Sequence, residues 1–201
     1  MKVEKRAIRN VLRAQRKALA PHVVAAAGRA VKQRVLGLPI YGEASAVLAY
    51  VADENEIPTS ELIAAMAEAG MAVYLPTLRP PLGFVPWNPG QRLVKTASGV
   101  MEPAVGTPEQ PTTPALALVP VVAWDQDGTR LGRGGGFYDR ALAALGSGVV
   151  RIGLAFEFQE YSGLPRDAWD VPLDFVITER RVVRCSTPRS GLALQRGGVD
   201  I

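Results

Sequence analysis

Arg130-Leu131-Gly132-Arg133-Gly134-Gly135-Gly136-Phe137-Tyr138-Asp139-Arg140 sets four glycines between two arginines and an Asp-Arg pair. An apolar run from Ala115 to Trp124 precedes this stretch, and a helical pattern from Tyr138 to Leu145 follows it. Strand, glycine loop and helix in that order collect an anion. The glycines let the backbone come close, and the exposed N–H groups and helix dipole favour phosphate. A connecting turn needs only one or two glycines. Four of them, framed by Arg130 and Arg133, predict a phosphate loop. Asp139 would be repelled by bound phosphates unless a Mg²⁺ ion lay between them, and hard oxygen ligands plus phosphates are the usual shell of that ion. As a plain first-turn acid, Asp139 would instead complement the helix dipole.

Three better-known phosphate loops fail here. A P-loop needs a Gly-Lys pair, which the chain lacks. A dinucleotide fingerprint would need glycine or alanine where Phe137 stands, and it belongs in a first βα turn. The catalytic-loop signature that accompanies a kinase glycine loop is missing. Asp125 to Gly128 is an Asp-Gly turn, not a calcium loop, because the closing glutamate is absent.

Outward from the loop, the chain reads as alternating strands and helices. Residues 2–19 form a helix with Ile8, Val11, Leu12, Gln15 and Leu19 at helical spacing. Lys5, Arg9, Arg13 and Arg16 or Lys17 form a second stripe. They are either a solvated basic face or, for Lys5 and Arg9, a reach towards phosphate oxygens. A second helix covers His22 to Val35. Ala46–Val51 and Ala72–Leu75 are strands joined by a helix that starts at Pro58-Thr59-Ser60, with a hydroxyl available for capping, so the two strands should run parallel. Asp53, Glu54 and Glu56 follow the first strand, either where ligands bind in such folds or as an acidic loop before a helix. Leu82–Trp87 and Arg92–Val94 are short strands that could pair as a ribbon, and Trp87 is packing or a ligand cover. Ala115–Ala123 is the central strand. Val149–Phe156 and Phe175–Thr178 are further strands, with Val182-Val183 extending or pairing with the last. Residues 186–201 are expected to be a loose tail. The reading is one α/β domain over 1–201, three-layer α/β/α, with a mixed, largely parallel central sheet.

Composition bounds the chemistry. At 201 residues with 48% apolar content, the chain can bury a sizeable core. It lacks a transmembrane-length apolar run and the apolar centre of a signal peptide, so a cytoplasmic protein away from membranes is expected. One cysteine, Cys185, and one histidine, His22, leave little material for a disulfide, a zinc cage or a histidine triad. The net charge of +4 is spread along the chain, so an anionic small molecule is favoured over nucleic acid.

The 130–140 stretch, preceded by Leu118-Val119-Pro120, Asp125 and Gly128, resembles the signature of the 5-formyltetrahydrofolate cyclo-ligase (methenyltetrahydrofolate synthetase) family. Supporting matches are the basic N-terminal helix, Glu56-Ile57-Pro58-Thr59, Tyr74-Leu75-Pro76, Gly99-Val100-Met101-Glu102-Pro103, Asp170 and Asp174. The resemblance implies an ATP- and Mg²⁺-dependent conversion of 5-formyltetrahydrofolate to 5,10-methenyltetrahydrofolate with release of ADP and phosphate. A monomer is expected. Carried over by position, Lys5 and Arg9 would hold ATP with Arg130, Leu131, Gly132, Arg133, Gly134, Gly135, Gly136, Phe137 and Tyr138. Lys5, Arg130 and Arg133 would serve the chemistry, Glu56, Arg133 and Phe137 the folate, and Asp139 and Asp170 the Mg²⁺. The chain departs from the family at Pro58, where an acidic residue is common, at Phe137, where a tyrosine is usual, and at Met71, where lysine often stands. A relative that keeps the fold and binds nucleotide or folate without turnover is the alternative.

Overall fold

The computed structural model describes residues 2–79, 83–97 and 99–186. The chain runs α1 (Lys2–Lys17), α2 (Pro21–Leu36), β1 (Ala46–Leu48), α3 (Ser60–Glu68), β2 (Ala72–Thr77), β3 (Gly83–Pro86), β4 (Leu93–Lys95), β5 (Met101–Pro103), β6 (Ala115–Pro120), β7 (Ala123–Trp124), β8 (Arg130–Leu131), α4 (Phe137–Ala143), β9 (Val149–Leu154), β10 (Phe175–Ile177) and β11 (Val182–Arg184). Among the described residues the main sheet has the order β11-β10-β9-β6-β1-β2-β3. Its five inner strands are parallel, while β3 and β11 pair antiparallel at the edges. The sheet is therefore mixed and largely parallel, with β6 in the middle.

Two-residue alternation sorts the inner strands onto two faces. Val47, Ala49, Leu116, Leu118, Ile152 and Leu154 pack with Val24 and Val31 of α2 and Leu62 and Met66 of α3. On the other face Ala46, Leu48, Ala115, Ala117 and Val119 pack with Ala141 and Leu142 of α4. Both faces of a parallel sheet need such cover, and this gives three layers.

Several expectations change in detail. The run from Ala115 does not continue as one strand to Ala123. It ends at Pro120, and Ala123–Trp124 turns into a separate hairpin with β8, closed through the Asp125–Gly128 turn. The glycine loop thus leaves a two-residue ribbon strand rather than a sheet strand. The segment near Leu82 does not pair with 92–94. Residues 83–86 join β2, and β4 pairs with β5 instead; Leu82 itself lies outside the described residues. The Thr59 hydroxyl donates to the Tyr50 carbonyl and makes no cap, because it is buried at the end of β1. Of the expected tail, Ser186 donates its N–H to the Gln126 carbonyl, and 187–201 lie outside the described residues.

The largest revision concerns α1. Its buried stripe is Lys5, Ile8, Leu12 and Arg16, while Val11 is exposed. The apolar and basic stripes share one face, so that face is not solvated. Ile8 and Leu12 pack on Val122, Ala123 and Leu131 of the ribbon. The other end of the helix is fastened by the Asp53–Glu56 loop. The Asn55 side-chain amide lies 3.2 Å from the carbonyls of Arg16, Lys17 and Leu19, and so serves the orphan acceptors of the helix C-terminus. Glu54 pairs with Arg13 at 2.7 Å and Lys17 at 2.8 Å. Glu54 and Asn55 both adopt positive φ to make these contacts.

Burial alone would raise the Glu54 carboxyl, but hydrogen bonds from Lys17 and Arg13 outweigh it and hold the group at about 2. A depressed carboxyl contributes stability that is complete above its ordinary value and is lost as pH falls through its folded value. Glu54→Gln should therefore cost about 2 kcal/mol at pH 7. Urea unfolding should show the gap between variant and parent closing as the pH drops from the ordinary 4.5 towards 2; a gap that persists at the lower end would refute the clamp.

Candidate active site

Three groups of side chains meet at the glycine loop. The first is brought by α1. The Lys5 ammonium donates to Asp167 and Asp170 at 2.8 Å each. Burial alone would lower Lys5, yet those two bonds outweigh it and leave the group above its usual range. Asp167 and Asp170 close a tight turn, with the Asp170 N–H donating to the Asp167 carbonyl and the Asp167 N–H to the Asp170 carboxylate. One helical turn beyond Lys5, Arg9 donates its Nε to the Gly132 carbonyl at 2.8 Å. Arg9 forms no ion pair among the described residues, so its charge is uncommitted at the loop.

The second group lies at the loop's two ends. Arg130 is buried. It donates to Asp139 at 2.7 Å and also to the Val171 carbonyl, while the Val171 N–H donates to the same Asp139 oxygen at 3.2 Å. The loop between them uses its glycines in two ways. Gly134 and Gly136 have φ of +101° and +65°, which L side chains rarely adopt. Gly132 and Gly135 have ordinary φ, and a Cβ there would meet nothing within 4 Å. Neither local packing nor backbone conformation asks for glycine at those two positions.

The third group faces the opposite side. Arg133 donates both Nη atoms to Asp53 at 2.9 Å and its Nε to Glu56 at 3.3 Å. Glu56 is buried, also accepts from the Asp53 N–H, and lines a cavity of about 530 Å³. The rest of that wall is mostly apolar and includes Val24, Pro58, Ile63, Trp87 and Leu93. Pro58 packs so closely on α2 that a Cβ at Gly28 would lie 3.1 Å from its ring. A concave apolar chamber with one convergent carboxylate is suited to a planar heterocycle.

The expected site residues therefore divide. Lys5, Arg9, Arg130, Asp139 and Asp170 gather on one flank of the loop. Arg133 and Glu56 gather on the other, beside the cavity. Phe137 does not line the cavity. Its ring packs edge-on against Tyr138 at 5.1 Å and Phe84 at 6.1 Å. Trp87, weighed as packing or cover, does line the cavity. The part of Asp167 was not foreseen, and no local pattern marked it out from Asp170. Arg16 was read only as part of a basic stripe.

Whether a hard cation could be held here can be judged from the carboxylate atoms. Among the described residues no three His, Cys, Asp or Glu side chains gather into a metal-holding set. The bonds to Asp139 go to Oδ1 and those to Asp170 go to Oδ2, leaving one oxygen of each acid open. One or two carboxylates completed by substrate phosphates is the way Mg²⁺ is usually bound, so these residues fit that ion.

A family model described as the 5-formyltetrahydrofolate cyclo-ligase family matches residues 1–179. The chain is 32% identical over 179 residues to the 5-formyltetrahydrofolate cyclo-ligase of Escherichia coli (strain K12), a match covering 86% of this chain and 98% of that protein. It is 34% identical over 156 residues to the protein of that name from Haemophilus influenzae, covering 73% and 82%. The NMR structure of Aquifex aeolicus 5,10-methenyltetrahydrofolate synthetase superposes with a TM-score of 0.77 at 28% identity, covering 96% of this chain and 99% of that one. A 5,10-methenyltetrahydrofolate synthetase from Mycoplasma pneumoniae, 22% identical, shares the fold with a TM-score of 0.66 over 87% and 98%. The chain belongs to the 5-formyltetrahydrofolate cyclo-ligase family.

Removing the Lys5 ammonium would leave two carboxylates facing each other in a largely buried place. Lys5→Met should cost about 3 kcal/mol at neutral pH by urea unfolding. Asp170 is held below its ordinary 3.8, with burial opposed by the Asp167 N–H and Lys5. Its contribution is present above that value and lost as pH falls below it, so the deficit of the variant should shrink in acid. A variant as stable as the parent at pH 7 would refute the role of the pair.

Proposed function

We propose that the chain, as a member of the 5-formyltetrahydrofolate cyclo-ligase family, catalyses the ATP- and Mg²⁺-dependent cyclisation of 5-formyltetrahydrofolate to 5,10-methenyltetrahydrofolate, with release of ADP and phosphate. The observation that carries this reading is the two-sided loop. Cations and two acids stand on one flank of residues 131–139, and a largely apolar cavity with Glu56 on its wall lies on the other. A nucleotide and a folate can thus meet across four glycines.

In this reading the formyl oxygen attacks the γ-phosphorus and ADP departs. N10 of the same folate attacks the activated formyl carbon and closes the five-membered ring. The C–O bond then breaks, phosphate leaves with the former formyl oxygen and the bonding pair, and the N10 proton is released. No protein nucleophile is needed, in keeping with a chain that has one histidine and one cysteine. The protein's work is positioning and charge neutralisation. Lys5, Arg9 and Arg130 would neutralise phosphate oxygens, and the open backbone at Gly132 and Gly135 leaves room for them. Asp139 and Asp170 would hold Mg²⁺, which when bound screens the phosphate charge. Glu56 would accept hydrogen bonds from the pterin, and Trp87 would cover its face. Arg133, between Asp53 and Glu56, lies where it could turn to the transferring group. Phe137 as a folate contact rests on the family resemblance alone.

A non-catalytic binding protein is the second reading, and Pro58 is what favours it. The proline lines the cavity where an acid is common in the family. Glu56 keeps a carboxylate on the same wall two residues earlier, so the cavity still has an acid to bind the pterin.

The purified protein should form the methenyl chromophore from 5-formyltetrahydrofolate only when ATP and Mg²⁺ are both present. Folate binding with no ATP-dependent product would establish the second reading. Asp139→Ala should lower kcat/KM for ATP at least tenfold, and parental kinetics in that variant would exclude its metal role. Glu56→Gln should raise the KM for folate about tenfold while leaving the KM for ATP within twofold.

A further inference from the structure

We infer that Arg16 is a positioning residue for the candidate folate site, the buried counter-cation that keeps the Glu56 carboxylate in place when Arg133 turns to substrate. The inference rests on the folate reading of the cavity for its functional half and on geometry alone for its electrostatic half.

Arg16 is 1% exposed, an unusual state for an arginine. Its Nε donates to the Glu54 carbonyl at 3.0 Å and its Nη1 to the Val121 carbonyl at 3.2 Å. These bonds tie α1 to the acidic loop and to the end of β6. The Nη2 atom is buried and has no hydrogen-bond partner. It lies 3.7 Å from a Glu56 oxygen and 3.9 Å from Glu54. Arg16 does not line the cavity and Glu56 does, so the guanidinium stands behind the carboxylate.

The two cations beside Glu56 differ in kind. Arg133 is partly exposed and shares its charge with Asp53. On the inferred reading it is the one that turns to substrate. Arg16 is buried and held by two backbone carbonyls. The other charged or titratable groups around Glu56 are Asp53 and Glu54 in its own segment, Tyr50 beyond the end of β1, and Tyr138 on α4. Neither tyrosine brings a positive charge. Burial, with the Asp53 charge, leaves the Glu56 carboxyl above its usual range, and Arg133, Arg16 and the Asp53 N–H limit that rise. If Arg133 left and Arg16 were absent, a desolvated Glu56 would take up a proton rather than stay charged. It would then present a mixed donor and acceptor edge to the cavity instead of two acceptors.

Carbon-13 NMR of the glutamate-labelled protein reads this directly, with the Glu56 carboxyl signal assigned by its loss in Glu56→Gln. Arg16→Gln should move the Glu56 midpoint upward by about one pH unit or more. Arg16→Lys, which keeps the charge on a shorter reach, should give part of that shift, and it decides the matter if the glutamine variant does not fold. At pH 6 the folate KM should rise in both variants while the KM for ATP stays near parental. A folded variant whose Glu56 titrates as in the parent overturns the inference. So does a shifted titration with an unchanged folate KM. A parent without turnover would count against the cyclo-ligase reading, and the Glu56 titration would still decide the electrostatic role of Arg16.

Discussion

An ammonium held between two carboxylates joins residues 162 and 165 positions apart, and the candidate site depends on it. Lys5 draws the first helix against the turn formed by Asp167 and Asp170. Once the helix lies there, its 3.6-residue period sets the rest. Arg9 falls on the glycine loop, Ile8 and Leu12 fall on the ribbon, and Arg16 falls behind Glu56. Each of these contacts follows from one face of one helix, and that face is fixed at both ends by charge.

The cations of the site are mostly neutralised in advance. Lys5 is paired with Asp167 and Asp170, Arg130 with Asp139, and Arg133 with Asp53 and Glu56. Buried charges require such partners, since an unpaired one would neutralise or disrupt the fold. Around Lys5 and Arg130, both buried, the pairs also hold each cation in one orientation. Arg9 is different. Its one bond is to a backbone carbonyl, so an arriving anion meets a cation with no acid to displace.

The sheet was legible because its signals are local. Apolar runs bounded by glycine and proline marked β1, β2, β6, β9 and β10, and the helix between β1 and β2 required a parallel pair. The glycine loop was legible because four glycines exceed what a turn demands. The first helix was not legible in detail. Hydrophobic periodicity counts Val11 as buried and Lys5 and Arg16 as exposed, since it cannot see carboxylates that arrive from residues 54, 56, 167 and 170. The β4–β5 pairing was missed for a similar reason. Short strands carry little register information, and β5 is anchored from outside the ribbon, where Glu102 accepts from the Leu78 N–H at 2.7 Å and pairs with Arg79 at 2.8 Å just beyond β2. The edge-on contact of Phe137 with Phe84 was not legible either, because the two residues lie 53 positions apart.

The Lys5 bridge also bears on how the protein is made. The lysine leaves the ribosome 162 residues ahead of Asp167 and 165 ahead of Asp170. The β1–α3–β2 unit can form early from near neighbours, whereas α1 must wait with its basic face uncovered. The Lys5 flank of the glycine loop is therefore assembled late, and a nascent chain halted before Asp167 would carry the β1, β2, β6 and β9 strands with Lys5 still unpaired.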